Sequence, residues 1–474
     1  MRRTGRAVMF TIEEIQQATG GNLHGHGGRS VTGVSTDSRT VNPGELFVPL
    51  RGERFDGHDY LDAAIGRGVT TVLAEESWLA TQSLPGDITC IAVSDTLRAL
   101  GDLAAFHRRR FHIPVVGITG SNGKTTTKEM LSAILAFGGD GLKTGGNLNN
   151  LIGLPLTLLK LTADDRWAVL EMGMSEPGEI DRLAEIAAPD VGIITNAFPA
   201  HLLSMGSVDA VARAKGELFL RLRPGSSAVY NADDPRIAAL PVPAGVRRLS
   251  FGLHEADVSA AQVVGLGRRG QRFTMRIPGR SIGIEIEAFG RHNVSNALAA
   301  AAAATALGIE PEQIRAGLDA FTPYDKRFRL EEVEGVVLID DSYNANPASM
   351  AAALLTLSDL KGRGRAIAVL GDMLELGREE EKAHLEVGRL AAACVDRLYL
   401  TGGMATIVAA GAADAGLPEE NIVVAAGHDG LIAALSRSMR HDDVILVKGS
   451  RGMRMERVAE AIRSGFAVDG KGGA

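Results

Sequence analysis

Cysteine is almost absent from this sequence, in which Cys90 and Cys394 are the only two among 474 residues. They lie far apart in apolar surroundings, so they fit neither a disulfide framework nor a metal site. A chain without structural disulfides is typical of a reducing compartment. We therefore expect a cytoplasmic protein.

Long apolar runs and an excess of positive charge are missing as well. No apolar run approaches the roughly 18 residues that a membrane-spanning helix needs, so we expect no membrane insertion. Residues 1–6 are basic, but no apolar segment follows them, which predicts no signal peptide. The 50 Lys and Arg residues against 57 Asp and Glu residues give a net charge of −7, which argues against a nucleic-acid partner.

The length and the order of the apolar segments predict an α/β protein of three domains. Residues 1–94 are typical of a small α/β domain, in which Thr11 caps a helix over 12–19. Residues 95–321 alternate strands and helices, which is the pattern of a doubly wound parallel sheet. Residues 322–474 have the element order of a Rossmann-like α/β domain, without the glycine fingerprint after its first strand.

A Gly-rich segment, Thr-Gly-Ser-Asn-Gly-Lys-Thr at 119–125, joins an apolar strand to a helix predicted over 125–137. A phosphate-binding loop needs this strand–loop–helix context, because glycines turn backbone N–H groups toward phosphate oxygens and the helix dipole favours negative charge. Lys124 would reach the β- and γ-phosphates, and the Thr125 hydroxyl would bind Mg²⁺. The general pattern has glycine where this chain has Ile118, so a chance Gly-rich turn is the alternative.

Polar side chains follow other predicted strands of the central domain. Open parallel sheets bind ligands at the carboxyl ends of their strands, where Glu171 and His201 fall. Glu171 fits a Mg²⁺ ligand, or else a capping or salt-bridged carboxylate, and His201 fits a ligand of a second metal or an ordinary surface histidine. Lys215 has no signature of its own, and we place residues 213–217 at the start of a helix.

Three further patterns have competing interpretations. Residues 265–270 satisfy G-x-G-x-x-G, but a strand-like segment follows them, which argues against a dinucleotide site. The polar clusters 35–39 and 56–58 lie at strand edges, where they hold a ligand or form solvated turns. The polar residues in 292–296 either cap the Ala-rich helix that they begin or reach a nucleotide base.

These features together resemble the Mur ligase superfamily, whose members are ATP-dependent amide-bond ligases of three domains. The resemblance is carried by the loop 119–125, by Glu171 and His201, by Lys215 within Ala-Lys-Gly-Glu, and by His-Asn-x-x-Asn at 292–296. Stretches 146–150, 340–347, 370–377 and 448–456 are similar to the member that adds D-alanyl-D-alanine to UDP-N-acetylmuramoyl-tripeptide. This chain departs from that pattern at Gly452, where serine is expected, and residues 1–8 look like an extension ahead of Met9.

The resemblance implies a nucleotide site and two Mg²⁺ ions. ATP would be bound by Thr119, Gly120, Ser121, Asn122, Gly123, Lys124, Thr125, Thr126, His292, Asn293, Asn296, Arg327, Asp341 and Tyr343. Within that set, His292, Asn293 and Asn296 would face adenine. Thr125 and Glu171 would hold the first Mg²⁺, and His201 and a carbamylated Lys215 would hold the second.

The resemblance also implies the substrates. The UDP-sugar would contact Ser35, Asp37, Ser38, Arg39, Asp56, Gly57 and His58. The peptide and the incoming dipeptide would contact Asn147, Asn149, Asn150, Asn344, Asn346, Lys448, Ser450 and Arg451. We expect a monomer that acts in cytoplasmic peptidoglycan precursor synthesis, with the third peptide residue, meso-diaminopimelate or lysine, left open. The rivals are another ligase of the superfamily, adding a diamino acid or glutamates to a folate, and a binding protein that uses ATP as a switch.

Overall fold

The computed structural model describes residues 8–25, 30–52, 54–199, 202–323 and 326–465. These residues form two compact units. One contains the described residues up to Gly117 together with Gly139–Met174 and Gly178–Asp190. The other contains Ile118–Gly138, Ser175–Pro177 and the described residues from Val191 onward.

The first stretch of the chain forms a five-stranded sheet and a separate pair of short strands. The strands are β1 (Phe10–Thr11), β2 (Asn22–His24), β3 (Ser30–Val31), β4 (Gly33–Ser35), β5 (Glu45–Phe47), β6 (Thr71–Glu75) and β7 (Thr89–Val93). The helices are α1 (Ile12–Thr19), α2 (Leu61–Gly66) and α3 (Glu76–Leu79). The sheet order is β2-β7-β6-β5-β4, and only the β2–β7 pairing in it is antiparallel.

Helix α1 shows how closely local sequence sets an element here. The Thr11 hydroxyl accepts a hydrogen bond from the Glu14 backbone, and the Glu14 carboxylate accepts one from the Thr11 backbone, which is a complete capping box. Gly20 ends the helix in the left-handed conformation with φ 68°. The predicted helix over 12–19 and its Thr11 cap are confirmed.

The middle of the chain forms a nine-stranded mixed sheet, in the order β16-β15-β14-β13-β12-β11-β8-β10-β9. Its strands are β8 (Val115–Thr119), β9 (Leu142–Lys143), β10 (Ala168–Glu171), β11 (Val191–Ile194), β12 (Ser227–Asn231), β13 (Arg247–Gly252), β14 (Val258–Gly265), β15 (Gln271–Ile277) and β16 (Arg280–Ile286). The helices are α4 (Thr96–Arg108), α5 (Lys124–Leu135), α6 (Gly153–Leu158), α7 (Glu179–Ala187), α8 (Leu202–Met205), α9 (Val208–Leu220), α10 (Pro235–Ala238), α11 (Arg291–Ala306) and α12 (Pro311–Asp319).

The last stretch forms a six-stranded sheet in the order β17-β18-β22-β19-β20-β21, parallel except for β17. Its strands are β17 (Arg329–Val333), β18 (Val336–Asp341), β19 (Ala366–Leu370), β20 (Arg397–Leu400), β21 (Ile422–Val424) and β22 (Val444–Lys448). The helices are α13 (Pro347–Leu360), α14 (Glu380–Cys394), α15 (Ala405–Asp414), α16 (His428–Ser438) and α17 (Glu456–Arg463). Short 3₁₀ helices lie at Gly57–Tyr60, Ala136–Gly138, Gly267–Arg269, Gly377–Glu379, Glu419–Asn421 and Arg451–Met453.

Both faces of this six-stranded sheet are buried. Along β18, Val337 and Ile339 pack with α13, α14 and α15, while Val336 and Leu338 pack with α16 and α17. A strand covered on both sides reads as a continuous apolar run, which is why the sequence locates these strands well. The sequence does not predict strand β17, because three of its five residues are charged and the segment does not stand out from a loop.

Two features differ from the sequence-based picture. The central sheet continues beyond its parallel part through the antiparallel pairs β14–β15 and β15–β16. Helix α9 begins at Val208 with a Ser207 cap, so the prediction that residues 213–217 start a helix is wrong. The G-x-G-x-x-G segment joins β14 to β15 as a hairpin, as the strand pattern after it indicates. The three-domain α/β class is observed, and the boundaries 1–94, 95–321 and 322–474 stay a prediction.

Candidate active site

The phosphate loop contains two glycines at positions where any other residue would be strained. Gly120 has φ 152°, and a Cβ atom built on it would lie 1.8 Å from the Thr195 hydroxyl oxygen. Gly123 has φ 84°, and its Cβ would lie 2.2 Å from Oδ1 of Asn296. Gly123 directly precedes α5, so the loop reaches the start of that helix through a left-handed residue. The strand–loop–helix context predicted for residues 119–125 is therefore present.

Residues at the end of β11 hold the loop from one side. The backbone N–H groups of Ser121 and Asn122 donate to Asn196, to its carbonyl oxygen at 3.1 Å and to its Oδ1 at 2.9 Å. The Thr195 hydroxyl donates to the Asn122 carbonyl at 2.6 Å. These two loop amides already have protein acceptors. Sequence reasoning missed Thr195 and Asn196 as site residues, although both end a strand predicted over 191–196.

The charged and hydroxyl groups of the loop lie within the same turn. The Lys124 ammonium donates to the Gly120 carbonyl at 2.5 Å, so its positive charge lies over the loop backbone. The Thr125 hydroxyl accepts a hydrogen bond from Arg327 at 3.3 Å. The Thr119 hydroxyl is buried and has no hydrogen-bond partner among the described residues. A cation, hydroxyl groups and helix-start amides are the groups that bind a polyphosphate.

The first turn of α11 lies beside this loop. Asn296 donates to Oδ1 of Asn293 at 2.9 Å, and Asn293 donates to the Phe289 carbonyl at 2.8 Å. Gly290 is the N-cap of α11 and no side chain caps the helix, so the capping interpretation of this cluster is wrong. Asn296 instead places its amide oxygen against Gly123.

His292 stays neutral near neutral pH. Its pKa is lowered to about 4, mainly because burial disfavours the imidazolium; Asp341 raises the pKa and Lys448 lowers it further. Both groups that act on His292 are the last residues of strands in the six-stranded sheet, Asp341 of β18 and Lys448 of β22. The start of α11 and the carboxyl ends of β18 and β22 therefore share one electrostatic environment.

The carboxyl ends of β18 and β22 carry a buried ion pair. The Lys448 ammonium donates to Asp341 at 2.5 Å and to the Asn344 carbonyl at 2.9 Å, and only 2% of the lysine side chain is exposed. The other Asp341 oxygen accepts from the Phe328 backbone at 3.2 Å. The positive charge that we assigned to the incoming dipeptide is thus already paired with Asp341.

Two arginines flank the Tyr343 ring. The Arg327 guanidinium carbon lies 3.8 Å from the ring centroid, and that of Arg451 lies 5.9 Å from it. Arg451 also pairs with Glu456 at 2.8 Å. The same Arg327 reaches Thr125, so it connects the phosphate loop to the C-terminal sheet. The ATP-binding role predicted for Arg327 stays a prediction.

Ser450 ties three loops of the C-terminal sheet together. Its hydroxyl donates to the Ala345 carbonyl at 3.2 Å and accepts from the Leu374 backbone at 2.9 Å. The side chain of Asn344 accepts from the Arg451 backbone at 3.3 Å. The loops after β18, β19 and β22, which contain the stretches 340–347, 370–377 and 448–456 of the resemblance, therefore form one connected group.

Lys215 is buried in the middle of α9, with 3% of the residue exposed. Burial, and secondarily the positive charge of Lys124, hold the pKa of its amine well below the ordinary value. A buried neutral amine is the reactive form for carbamylation by CO₂. His201, the other residue predicted for the second metal, lies outside the described residues.

In the other compact unit, Glu171 ends β10 and only 1% of it is exposed. Its backbone donates to the Thr144 hydroxyl at 2.9 Å, and the next glycine, Gly173, donates to the Asn149 carbonyl at 2.7 Å. Oδ1 of Asn150 accepts from the backbones of residues 152 and 153, where α6 begins. Asn147 lies on the surface and accepts a backbone bond from Asn149 at 2.8 Å. Among the predicted substrate contacts, Asn149 is thus hydrogen-bonded to the chain two residues beyond Glu171.

The cluster 35–39 is bonded within itself. Arg39 forms two side-chain hydrogen bonds with Asp37, at 2.9 and 2.8 Å, although 86% of its side chain is exposed. These hydrogen bonds lower the pKa of Asp37 to about 2. The Ser35 hydroxyl accepts from the Asp37 backbone, and Ser38 is half-buried beside them. The exposed guanidinium leaves donors for an acidic ligand.

The hydrogen bonds of the cluster 56–58 also reach residues outside the cluster. Asp56 accepts from both the backbone and Nδ1 of His58, at 2.9 and 2.6 Å, and from Arg51 at 2.8 Å. Nε2 of His58 accepts from the Glu75 backbone at 3.0 Å, so the ring carries its proton on Nδ1. Gly57 has no room for a side chain, because a Cβ would lie 2.5 Å from the Leu50 nitrogen. These contacts make the cluster a structural clamp, and its predicted substrate role remains a prediction.

Comparison with known proteins decides the family. Mur ligase family models match residues 30–108 (the catalytic domain), 118–304 (the middle domain) and 326–451 (the glutamate ligase domain). A UDP-N-acetylmuramoyl-tripeptide–D-alanyl-D-alanine ligase of Bacillus subtilis is 38% identical over 436 residues, covering 91% of this chain and 93% of that protein.

The chain belongs to the Mur ligase family. Among solved structures, MurF from Acinetobacter baumannii matches this Mur ligase with a TM-score of 0.88 and 32% identity, over 96% of this chain and 99% of that one. The MurF ligase from Thermotoga maritima in complex with ADP matches with a TM-score of 0.81 and 28% identity, over 92% and 97%. The resemblance inferred from the motifs, and the three-domain α/β fold that it implies, are confirmed.

Within the described ranges, no three His, Cys, Asp or Glu side chains group together as a metal site would require. No helix in the part of the chain that the structure describes combines the length and apolarity needed to cross a bilayer.

Proposed function

We propose that this Mur ligase uses ATP to join D-alanyl-D-alanine to UDP-N-acetylmuramoyl-tripeptide, in the synthesis of peptidoglycan precursors. The observation that carries the proposal is the phosphate loop 119–125. Relatives that match this chain over nearly their whole length are named as that ligase. The ADP in the Thermotoga maritima neighbour supports a nucleotide at this site.

The chemistry has two displacement steps. The terminal carboxylate of the tripeptide attacks the γ-phosphorus of ATP, so that a carboxyl–phosphate bond forms and the bond to ADP breaks. The dipeptide amine then attacks the activated carbonyl carbon, an amide forms, the amine loses a proton and phosphate leaves. Lys124 would offset the negative charge that develops on the transferred group.

Side chains of the second unit would bind and orient the nucleotide. Arg327 connects Thr125 to the Tyr343 ring, so it would place a guanidinium beside both the phosphates and the C-terminal sheet. The neutral ring of His292, with Asn293 and Asn296, would offer uncharged groups to the base.

Two Mg²⁺ ions are part of the proposal, and the donor atoms fit them. The Thr125 hydroxyl and the buried Glu171 carboxylate are hard oxygen ligands, which Mg²⁺ prefers. Bound Mg²⁺ would supply neutralising charge to the phosphates. His201 and Lys215 would serve the second ion.

Lys215 would serve as a ligand after carbamylation. Its neutral amine attacks the carbon of CO₂, an N–C bond forms and one proton leaves to water, which gives a carbamate with carboxylate-like oxygens. Burial and a lowered pKa keep the amine in the nucleophilic form. Protein supplied with ¹³C-bicarbonate should show a carbamate NMR signal that Lys215→Ala lacks, and a spectrum equal for both proteins would contradict the assignment.

The remaining assignments concern the substrates and the setting. The clusters 35–39 and 56–58 would contact the UDP-sugar, Asn149 and Asn150 the peptide, and Arg451 the carboxylate of the incoming dipeptide, for which a guanidinium is suited. Lys448 and Ser450 would act there as well, through the loops that they hold together. We expect a cytoplasmic monomer.

One assay tests the reaction. Purified protein is incubated with ATP, Mg²⁺, D-alanyl-D-alanine and each UDP-tripeptide in turn, and products are read by mass. The tripeptide carries ¹⁸O in its terminal carboxylate, and an acyl-phosphate route moves one ¹⁸O atom into inorganic phosphate. Phosphate without ¹⁸O would contradict that route, and Lys124→Ala should lose ligation while its thermal unfolding stays unchanged.

The same assay separates the rivals. A nucleotide switch would release phosphate at the same rate with or without the dipeptide, whereas the proposed ligase needs it. A ligase for a single diamino acid would ignore D-alanyl-D-alanine and consume that amino acid instead. Either result would overturn the proposed substrate assignment.

A further inference from the structure

Two side-chain amides face each other across 224 residues of sequence. The Asn122 amide nitrogen donates to Oδ1 of Asn346 at 3.1 Å, and the Asn346 amide nitrogen donates to Oδ1 of Asn122 at 2.8 Å. Each amide therefore donates one hydrogen bond to the other and accepts one in return. Such a two-point contact fixes the direction of both side chains, which a single hydrogen bond does not.

Hydrogen bonds within its own segment hold Asn346 in place. It is the N-cap of α13, where its Oδ1 also accepts from the Ser349 backbone at 2.9 Å. Its own backbone N–H donates to the Ser349 hydroxyl at 3.0 Å, so the capping box is complete. Only 9% of Asn346 is exposed. The residue is thus fixed before it meets Asn122.

Asn122 is fixed on its backbone by a different element. Its N–H donates to Asn196 and its carbonyl accepts from Thr195 and Asn196, which follow β11. Its side chain is left to one partner, Asn346, among the hydrogen bonds of the described residues. Asn122, in the middle of the phosphate loop, is therefore hydrogen-bonded both to the residues after β11 and to the N-cap of α13.

We infer that Asn346 is a positioning residue for the phosphate loop, acting through the amide of Asn122 and not through contact with the peptide substrate. The inference rests on the proposed nucleotide site. By fixing Asn122 the pair holds the loop in one conformation before ATP arrives, so binding does not have to order it. It also makes nucleotide affinity depend on a residue of the C-terminal sheet.

The prediction is a loss of nucleotide affinity with little loss of chemistry. Removing two neutral hydrogen bonds at a partly buried contact corresponds to about a tenfold rise in the Kd of a non-hydrolysable ATP analogue. The KM for ATP should rise by a larger factor than kcat falls, since no reacting group is removed.

Asn346→Ser separates positioning from helix capping. Serine is a good N-cap, so α13 keeps its cap, but serine cannot make both bonds to Asn122. Asn122→Ala removes the same contact from the other side without touching the cap. The double variant should bind the analogue about tenfold, not about a hundredfold, more weakly than wild type, because both changes break one interaction.

Asp95→Ala is the matched control. Asp95 caps α4 by accepting from the Arg98 backbone at 2.9 Å, and it belongs to the other compact unit. Losing that cap should lower the melting temperature and leave analogue binding unchanged. If Asn346 had a purely structural role, Asn346→Ser would likewise leave analogue binding unchanged.

The outcomes decide between the two proposals. Binding by Asn346→Ser equal to wild type, or single effects that multiply in the double variant, overturns the inference alone. Should Asn346→Ser fail to fold, Asn122→Ala still tests the inference, which unchanged analogue binding by that variant would overturn. Failure of wild-type protein to bind any adenine nucleotide overturns the proposed function and the inference with it.

Discussion

The clamp around Asp56 and the phosphate loop are both polar turns with an essential glycine, yet they are held in opposite ways. In the clamp, Asp56 and His58 find their partners 2, 5 and 17 residues away. In the loop, Asn122 finds its partners 74 and 224 residues away. The first turn is built by its own neighbourhood, and the second depends on distant parts of the fold.

This difference predicts which substitutions impair nucleotide binding and which impair stability. A turn whose hydrogen bonds are local is stabilised as soon as its segment folds. A loop whose bonds come from three distant segments is placed only when the whole unit has folded, and a distant substitution can move it. We therefore expect substitutions around the loop to act on nucleotide binding and substitutions in the clamp to act on stability.

The largest effect should come from Gly120→Ala. A methyl group there would overlap the Thr195 hydroxyl and sit on a backbone at φ 152°, so the loop must distort. Overpacking and backbone strain together predict at least about a hundredfold loss of nucleotide affinity. Isothermal titration with an ATP analogue measures the nucleotide affinity. An affinity within about fivefold of wild type would contradict the expected loss and would show that the loop tolerates movement.

Arg39→Ala tests whether the other polar cluster is more than a turn. Because 86% of the side chain is exposed, its removal should leave the melting temperature unchanged. If the cluster contacts the UDP-sugar, the KM for UDP-tripeptide should rise about tenfold, the size of one charged hydrogen bond, with kcat unchanged. Unchanged KM would return residues 35–39 to the solvated-turn interpretation.

Asp56→Asn should act on stability. Burial raises the pKa of Asp56, but hydrogen bonds from His58 and Arg51 outweigh it and lower the pKa to about 2. The folded state therefore binds fewer protons than the unfolded state, and the stabilisation is present above about pH 4 and lost as pH falls toward 2. The variant should lose about 1–2 kcal/mol at pH 7. Denaturant unfolding of both proteins from pH 7 to pH 2 should show the curves converging, and a constant gap would contradict the ionic origin.

The smallest effect should come from Gly265→Ala, the matched control for Gly120→Ala. It removes the first glycine of the G-x-G-x-x-G segment, but a Cβ there meets nothing within 4 Å. The segment is a hairpin between β14 and β15, so nucleotide affinity should stay within about twofold, because an exposed change of this kind is worth no more than ~0.5 kcal/mol. A larger loss would mean that the hairpin takes part in the nucleotide site.

The sequence alone determined the elements whose signals are local. The Thr11 cap of α1 lies where the residues predicted it, because a cap depends on near neighbours. The buried strands on either side of α14 are mostly apolar runs, which are also visible in the sequence. The Gly-rich loop, the strand-end position of Glu171 and the motifs that led to the family were also readable. So was the strand that follows the segment 265–270.

Only the tertiary structure decided which polar groups are already used. That Lys448 is neutralised by Asp341, that Asn196 takes two loop amides, and that Asn346 faces Asn122 depend on side chains brought together from distant segments. A pattern along one chain carries no distance between such residues. The physical reason is that a hydrogen bond is set by the positions of atoms in space, and packing of the sheets and helices sets those positions.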